Sequence, residues 1–260
     1  MDINENRGGK SVIRAIQLLG CFSEQNPVLT LNELANRTGL NEATILRLMA
    51  ALEETGCVHK ASDASVYTLG LKLLELGKVV INTISLRRVA LPIMEELSHK
   101  TAFNTNLGIF DNDTVLYLAR HAGANIPDVY FHPGKRLPLY TTGIGKVLLA
   151  FMPEPDRKEV IERINLLRLT PHTIVDKQIL LEEIEQVLIQ GYALEKEEGT
   201  LGTWCIAVPI RDMSNRVIAG LSLSSTHINN KREKILDYLD ALGDAAVRIS
   251  NYLGHGVSME

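Results

Sequence analysis

Two short amphipathic helices joined by one tight turn constrain the fold of this chain more than any other stretch. The segment "TLNELANRTGL" opens with Thr30, and Glu33 follows three residues later, which predicts a reciprocal capping box at a helix start. Gly39 ends that helix, and Asn41 begins the next one as its N-cap. The second helix, "NEATILRLMAALEETG", carries these apolar residues at helical spacing: Ile45, Leu48, Met49 and Leu52. So short a turn between two capped helices predicts a helix-turn-helix.

The neighbouring segments extend this pattern into a small domain. Upstream, "SVIRAIQLLGCF" predicts a further helix behind Ser11 as a possible N-cap, with an apolar face made of Val12, Ile16, Leu19 and Phe22. Downstream, "CVHKA" and "VYTLG" flank the polar turn "SDAS", which predicts a two-stranded wing. We therefore expect a winged helix-turn-helix domain over residues 1–69.

In the rest of the chain, the predicted secondary structure changes from helical to a mixture of helices and strands. Residues 70–84 predict a linker helix, and we expect interruptions of the helical run near Gly77 and at Pro92. From residue 103 onward strands dominate, beginning with "FNTNLGIF" and "DTVLYLARH" around the turn "DND", and ending with "YALEKEEG", "TWCIAVPIRD" and "VIAGLSLSS". Helices are predicted at about 143–152, 154–165 and 177–190, and an amphipathic helix at the end should lie on the sheet. The expectation is an α+β chain with a second domain over 85–260.

Composition places the chain among ordinary globular proteins and excludes few functions. Of its 260 residues 45% are hydrophobic and 22% charged, and the net charge of −4 offers no strong field to nucleic acid or lipid. The three cysteines form no metal-binding pair, and the seven histidines show no i, i+4 pairing with one another, so we expect reduced thiols, no metal and no cofactor. With no signal peptide or membrane segment predicted, we expect a cytoplasmic protein without a membrane partner.

The glycine-containing stretch "YTTGIGKVLLAF" resembles a phosphate-binding loop but lacks the parts of one. Position 147 is Val where a P-loop needs Ser or Thr, and position 148 is Leu where a dinucleotide fingerprint needs a third glycine. What remains is a helix start whose backbone N–H groups, from Gly143 to Gly145, suit one small anion. Thr142 is expected to cap this helix, and Lys146 to face solvent or pair with a carboxylate.

A strand places further polar groups beside this loop. In "VIAGLSLSS", Ser222 and Ser224 share one face and can both bond a hydroxyl or a carboxylate, with Cys205 as a small wall residue. A purely structural role for these residues also stays open. Serines on a half-buried strand often form hydrogen bonds only within the protein, and a lone cysteine is usually a small buried hydrophobic residue.

Taken together, these motifs resemble the IclR (isocitrate lyase regulator) family of bacterial transcriptional regulators. The resemblance covers residues 11 to about 254 and is carried by "LTLNELANRTGLNEATILRLMAALEETGCV", "LPLYTTGIGKVLLAF", "EEGTLGTWCIAVPIRD" and "RVIAGLSLS". It is strongest toward regulators of sugar-acid and uronate catabolism. It implies a GAF/profilin-like effector domain, homodimers or homotetramers, a small organic or sugar acid as effector, and repression of a carbon-catabolism operon. In this family the effector pocket is commonly lined at the positions of Gly143, Ile144, Glu195, Cys205, Ser222 and Ser224.

The second helix of the pair is the expected reader of operator DNA. Its outward N-terminal residues can meet base edges and phosphates in the major groove, with Arg47 suited to guanine, Thr44 to a thymine methyl or phosphate, and Glu42 to cytosine. Family members often have "SKST" where this chain has "NEAT", so one lysine contact is missing. The full set of expected DNA contacts is Arg37, Asn41, Glu42, Ala43, Thr44, Arg47, His59 and Lys60.

Two other functions remain open at this stage. Residues 1–77 carry seven lysines and arginines against nine aspartates and glutamates, which is a weak footprint for a DNA-binding domain. In one alternative, the helix-turn-helix serves only for packing or dimerisation. In the other, the second domain is a small-molecule enzyme. Against an enzyme, the chain has no GxSxG, no HExxH and no cysteine with an identifiable base.

Overall fold

The computed structural model of the chain describes residues 6–61, 66–123, 132–225 and 232–255. They fall into two compact units, one up to Thr83 and one from Ile84 onward. The helices are α1 (Asn6–Leu19), α2 (Leu31–Thr38), α3 (Glu42–Glu54), α4 (Leu71–Thr83), α5 (Ser85–Thr101), α6 (Gly143–Ala150), α7 (Glu154–Arg163), α8 (Lys177–Gln190) and α9 (Leu239–Tyr252). The strands are β1 (Val28–Thr30), β2 (Val58–Lys60), β3 (Val66–Leu69), β4 (Asn104–Asp111), β5 (Thr114–His121), β6 (Arg136–Pro138), β7 (Ala193–Lys196), β8 (Trp204–Arg211) and β9 (Val217–Ser225). Two 3-10 segments cover Leu139–Thr141 and Arg232–Tyr238.

The helix-turn-helix of the first unit forms as predicted. The Glu33 amide donates to Thr30 Oγ1 at 3.2 Å, and the Thr30 amide donates to Glu33 Oε2 at 2.7 Å, so the capping box of α2 is confirmed. Gly39 closes α2 in the left-handed region with φ of 69°, where a Cβ would be strained. The side chain of Asn41 accepts the Thr44 amide at 2.9 Å and starts α3. The α3 residues Ile45, Leu48 and Met49 are buried.

A three-stranded antiparallel sheet, in the order β1-β3-β2, completes this unit. The two wing strands are confirmed, whereas β1 was not predicted because "NPVL" has too few residues for an alternating pattern. The turn "SDAS", residues 62–65, lies outside the described residues.

Helix α1 differs from its prediction. It begins at Asn6, so Ser11 lies inside the helix and does not cap it. Val12 and Ile16 are exposed, and Leu18 is the α1 residue that is fully buried in the core of the unit. The apolar periodicity was real, but part of it marks a surface that this unit leaves uncovered.

The second unit is built on a six-stranded antiparallel sheet in the order β6-β5-β4-β9-β8-β7. Helices α5 and α9 pack on one face through residues such as Met94 and Leu242, against Leu221 and Leu223 of β9. Helices α6 and α8 pack on the other face. The amphipathic C-terminal helix therefore lies on the sheet as predicted, preceded by a 3-10 segment. The predicted α+β class, with a winged helix-turn-helix followed by a domain of helices packed on a β-sheet, is confirmed.

The predicted interruptions at Gly77 and Pro92 are wrong. Helix α4 runs through Gly77, because one glycine costs a helix only about 1 kcal/mol. Helix α5 runs through Pro92, and its residues Ala90, Ile93 and Leu97 are buried against the sheet. Packing of an apolar face thus outweighs the backbone hydrogen bond that proline removes.

Within the described part of the chain, no helix combines the length and the apolar character that crossing a bilayer requires.

Candidate functional site

A small cavity lies on the α6 side of the second unit's sheet. Its volume is about 90 Å³, which suits a small molecule rather than a nucleotide. It is lined by Asn106, Tyr117, Lys135, Leu137, Thr141, Thr142, Gly143, Leu169, Glu195, Gly199, Thr200, Thr203, Cys205, Ser222 and Ser224.

The floor of the cavity is a polar cluster on two central strands. Asn106 of β4 donates through Nδ2 to Ser222 Oγ at 3.2 Å and to Ser224 Oγ at 3.1 Å. Ser222 and Ser224 therefore share one face of β9, as predicted. Asn106 Oδ1 is buried with no hydrogen-bond partner among the described residues. An unsatisfied buried acceptor is costly, so this oxygen is suited to receive a hydrogen bond from a bound molecule.

Glu195 of β7 supplies an acid in an unusual state. Its Oε1 accepts the backbone N–H groups of Glu198 at 2.6 Å and of Gly199 at 3.3 Å. Burial, reinforced by the nearby charge of Glu198, raises the pKa of Glu195 to about 8. At neutral pH the carboxyl group is therefore mostly protonated, and it can donate a hydrogen bond into a cavity where a charged acid would repel an anion.

A buried ion pair between Lys146 and Glu198 lies next to Glu195. Lys146 is fully buried, and its Nζ lies 2.6 Å from Glu198 Oε1 and 3.0 Å from Glu183 Oε1. Burial raises the pKa of Glu198, and the Lys146 ammonium opposes that rise. Of the two expectations for Lys146, carboxylate pairing is confirmed and solvent exposure is wrong, because the side chain enters the layer between α6 and α8.

Two further titratable side chains of the lining, Cys205 and Tyr117, are neutral, while Lys135 adds a basic group to the lining. Burial raises the pKa of the Cys205 thiol to about 12 and also raises the pKa of Tyr117. A thiol at that pKa is a weak nucleophile, so Cys205 contributes to the cavity as a lining residue. All three cysteines are free.

The glycine loop contributes less of the cavity than its sequence indicated. Thr142 caps α6, as predicted, since the Gly145 amide donates to Thr142 Oγ1 at 3.0 Å. That amide is therefore not available to an anion. A Cβ at Gly145 would collide with the Leu139 carbonyl, so this glycine serves a close backbone approach.

Ile144 likewise has a packing position. Its side chain lies against the sheet over Gly108 and Gly220. Of the seven residues expected to contact an effector, Gly143, Glu195, Cys205, Ser222 and Ser224 line the cavity, while Ile144 and Gly145 lie outside its lining.

Sequence reasoning missed several cavity residues. Asn106 lies in the predicted strand "FNTNLGIF". What marks it as a cavity residue is its pairing with Ser222 in the sheet. Tyr117, Thr200 and Thr203 come from strands and turns far apart in the sequence, and nothing local marks them.

Helix α3 presents a separate candidate surface in the first unit. Glu42, Ala43 and Arg47 are exposed on it, and Arg47 has no hydrogen bond or ion pair within the part of the chain described here. Asn41 is exposed, but its side-chain oxygen already caps the helix, and Thr44 is half-buried. A free guanidinium near the start of an exposed second helix has the geometry that reads a major groove.

The other three basic candidates differ among themselves. Arg37 donates to the Cys21 carbonyl at 2.8 Å, so one of its nitrogens has a structural role. His59 and Lys60 are exposed on β2, and Lys60 Nζ lies 5.9 Å from the ring centre of Tyr67. These two wing residues remain available to a phosphate backbone.

Both units match known protein families. Residues 11–62 match the IclR helix-turn-helix domain, and residues 78–251 match the bacterial transcriptional regulator IclR C-terminal domain. The chain belongs to the IclR family of bacterial transcriptional regulators. The family expected from the motifs is thereby confirmed.

Individual relatives agree over nearly the whole length. The chain is 33% identical to the HTH-type transcriptional regulator XynR of Escherichia coli over 95% of this chain and 98% of that protein. It is 27% identical to the HTH-type transcriptional repressor AllR of Salmonella typhimurium over 95% and 91%. It superposes with a TM-score of 0.79 and 27% identity on an IclR homologue of Microbacterium hydrocarbonoxydans complexed with 4-hydroxybenzoate, covering 94% and 98%. Two of these relatives are named as a transcriptional regulator or repressor, and the third as an IclR homologue.

Proposed function

We propose that this chain represses a carbon-catabolism operon by binding its operator, and that a small organic or sugar acid in the cavity controls that binding. The observation that carries the proposal is the presence in one chain of an exposed α3 surface and a partly enclosed cavity lined in part by polar side chains. The repressor named among the relatives supports the direction of regulation. Such a regulator acts where the chromosome is, in the cytoplasm.

Arg47 carries the operator-reading part of the proposal. Its guanidinium is free to bond guanine O6 and N7, while Glu42, Ala43 and Thr44 meet neighbouring bases and His59 and Lys60 hold the phosphate backbone. Arg47→Ala should lower affinity for the chain's own operator by about 5- to 160-fold, from the loss of one bidentate contact worth roughly 1–3 kcal/mol.

The measurement is a mobility shift with the wild type, Arg47→Ala and the control Arg168→Ala, an exposed arginine of the second unit. Circular dichroism checks that each variant is folded. Equal operator affinity of Arg47→Ala and the wild type would remove α3 as the reader.

The cavity carries the sensing part. Protonated Glu195 and the hydroxyls of Ser222 and Ser224 donate hydrogen bonds, and Asn106 Oδ1 accepts one. Donors for a carboxylate beside an acceptor for a hydroxyl favour a small hydroxy acid. The hydroxybenzoate held by the Microbacterium homologue has this chemistry.

A thermal-shift screen of organic and sugar acids tests this choice, because a ligand bound only by the native state raises the melting temperature. Each acid is paired with its amide, and hits are repeated on Ser222→Ala with Ser224→Ala. An acid that raises the melting temperature of the wild type but not of the double variant supports the cavity. Equal shifts by acids and amides would contradict carboxylate recognition.

The residues around Cys205 favour sensing over catalysis. The thiol is neutral, and no histidine is among the residues that line the described cavity. The competing enzyme function is tested by incubating purified protein with each acid that binds and following its turnover.

Two apolar helix faces support a homodimer or homotetramer. Helix α1 exposes Val12, Ile13 and Ile16, and α4 exposes Leu71, Leu74, Leu76 and Val79. Apolar faces of this kind mark interaction surfaces, and a second copy of the chain would also place two α3 helices on one operator. We take α4, within the predicted 70–84 linker, as the element through which effector binding biases operator binding.

A further inference from the structure

Three potential metal ligands from two elements meet on the α5 side of the second unit's sheet. Glu95 and His99 are one turn apart on α5, and His121 is the last residue of β5. Glu95 Oε1 lies 3.9 Å from His99 Nε2 and 3.8 Å from His121 Nε2. One ligand atom from each residue lies within 4.8 Å of the other two. None of the three residues is part of the cavity lining.

The orientation of His121 is set by its neighbours. Its Nδ1 lies 3.1 Å from the carbonyl oxygen of Ala122, which also accepts Ser98 Oγ at 3.1 Å. A carbonyl can only accept, so Nδ1 carries the proton and the lone pair of Nε2 faces Glu95. A backbone carbonyl in this position is a usual partner of a metal-ligating histidine. Because Ser98 lies on α5, the shared Ala122 carbonyl links His121 to the helix that carries Glu95 and His99.

The rings of His99 and His121 are in contact, with centroids 5.6 Å apart, but hydrogen bonding does not account for the convergence of all three side chains. Separations of 3.8 and 3.9 Å are too long for hydrogen bonds. Glu95 and His99 are 59% and 73% exposed, so any charge attraction between them is largely screened.

The spacing instead suits a shared cation. Ligand atoms around tetrahedral zinc lie about 3.3 Å apart, as bond lengths of about 2.0–2.2 Å require. The exposed side chains can close the small difference by rotation, while His121, at 31% exposed, is held in place. Two imidazoles and one carboxylate favour zinc and its transition-metal neighbours over magnesium or calcium, which prefer oxygen ligands.

We propose that Glu95, His99 and His121 form a binding site for a divalent transition-metal ion of the Zn²⁺ class. Three protein ligands leave a further coordination position open to water. A bound ion would cross-link α5 to β5, the strand that also supplies Tyr117 to the cavity wall.

Titration of untagged, chelator-treated full-length protein with Zn²⁺, followed by calorimetry, tests the proposal. We expect one ion per chain, and at least a tenfold loss of affinity in each of Glu95→Gln, His99→Gln and His121→Gln, the range seen when zinc-site partners are removed. The matched control is His172→Gln, an exposed histidine elsewhere in the same unit, which should bind as the wild type does.

Cobalt(II) provides a second readout that distinguishes this site from zinc held by Cys21 or Cys57. An imidazole and carboxylate site gives visible d–d bands without the near-ultraviolet thiolate band, and these bands should disappear in His121→Gln. Failure of the wild type to bind Zn²⁺ at 100 μM, or unchanged affinity in the three variants, would overturn the proposal. Neither result depends on operator or effector binding.

Discussion

At the residue scale, burial changes what Glu195 and Lys146 can do. Both side chains are charged in water, and no residue next to either one in the sequence indicates a change in its charge or burial. In the folded unit Glu195 is a proton donor at neutral pH, and Lys146 is a buried cation held by two carboxylates. The cavity is therefore polar without carrying a negative charge.

Glu195 should make the stability of the second unit depend on pH. Its pKa is about 8 in the folded chain against an ordinary 4.5, so its contribution is full below about pH 4.5 and is lost as pH rises through 8. Urea unfolding of Glu195→Gln should therefore show a gain over the wild type that grows by about 1.4 kcal/mol per pH unit within this window. Exposed Glu185→Gln is the control, and a gain that stays constant between pH 5.5 and 8 would contradict the shift.

Lys146 should be one of the most sensitive positions of the second unit. Lys146→Met leaves Glu198 buried without its cation, and breaking a buried pair costs about 3–5 kcal/mol. The free energy of unfolding in urea measures this loss. The control is Lys158→Met, an exposed i, i+4 partner of Glu154, for which a change below about 1 kcal/mol is expected. Similar losses in the two variants would show that the buried pair contributes little.

At the element scale, the helix-turn-helix was readable because its determinants are local. A capping box, an N-cap and a left-handed glycine each involve residues within a few positions of one another. The predicted interruptions at Gly77 and Pro92 were wrong because the prediction considered the helix-breaking residues alone. It left out the sheet against which α5 packs. Strand β1 was missed because its partner, β3, lies far along the chain.

Two glycines of the first unit should respond oppositely to alanine. Gly39→Ala forces a Cβ into a left-handed conformation and should destabilise the unit by about 1 kcal/mol. Gly77→Ala lies inside α4 with open space around it and should stabilise the unit by up to about 1 kcal/mol. Thermal unfolding of both variants in parallel gives the comparison. A destabilising Gly77→Ala would indicate that α4 is not a regular helix at this point.

At the scale of the whole molecule, the exposed apolar face of α4 should govern assembly. Leu74 is 71% exposed, and if a second copy covers it, a charge there should dissociate the oligomer. Light scattering after size exclusion should give a lower mass for Leu74→Glu than for the wild type at equal concentration. Leu201→Glu, at a half-exposed leucine of the second unit, is the control. An unchanged mass in Leu74→Glu would place the interface elsewhere.

The sequence by itself determined the capped helix pair, the wing strands, the alternation that turns Ser222 and Ser224 to one face, and the family. All of these rest on spacings of a few residues or on whole motifs. Only the tertiary structure decided which residues share a site. It brought Asn106 beside the two serines, moved Ile144 and Gly145 away from the cavity lining, and buried Lys146. It also placed His121 against Glu95 and His99, although the histidines are not paired in the sequence. The physical reason is that strand pairing joins residues a hundred positions apart, and burial then changes the protonation of a group such as Glu195.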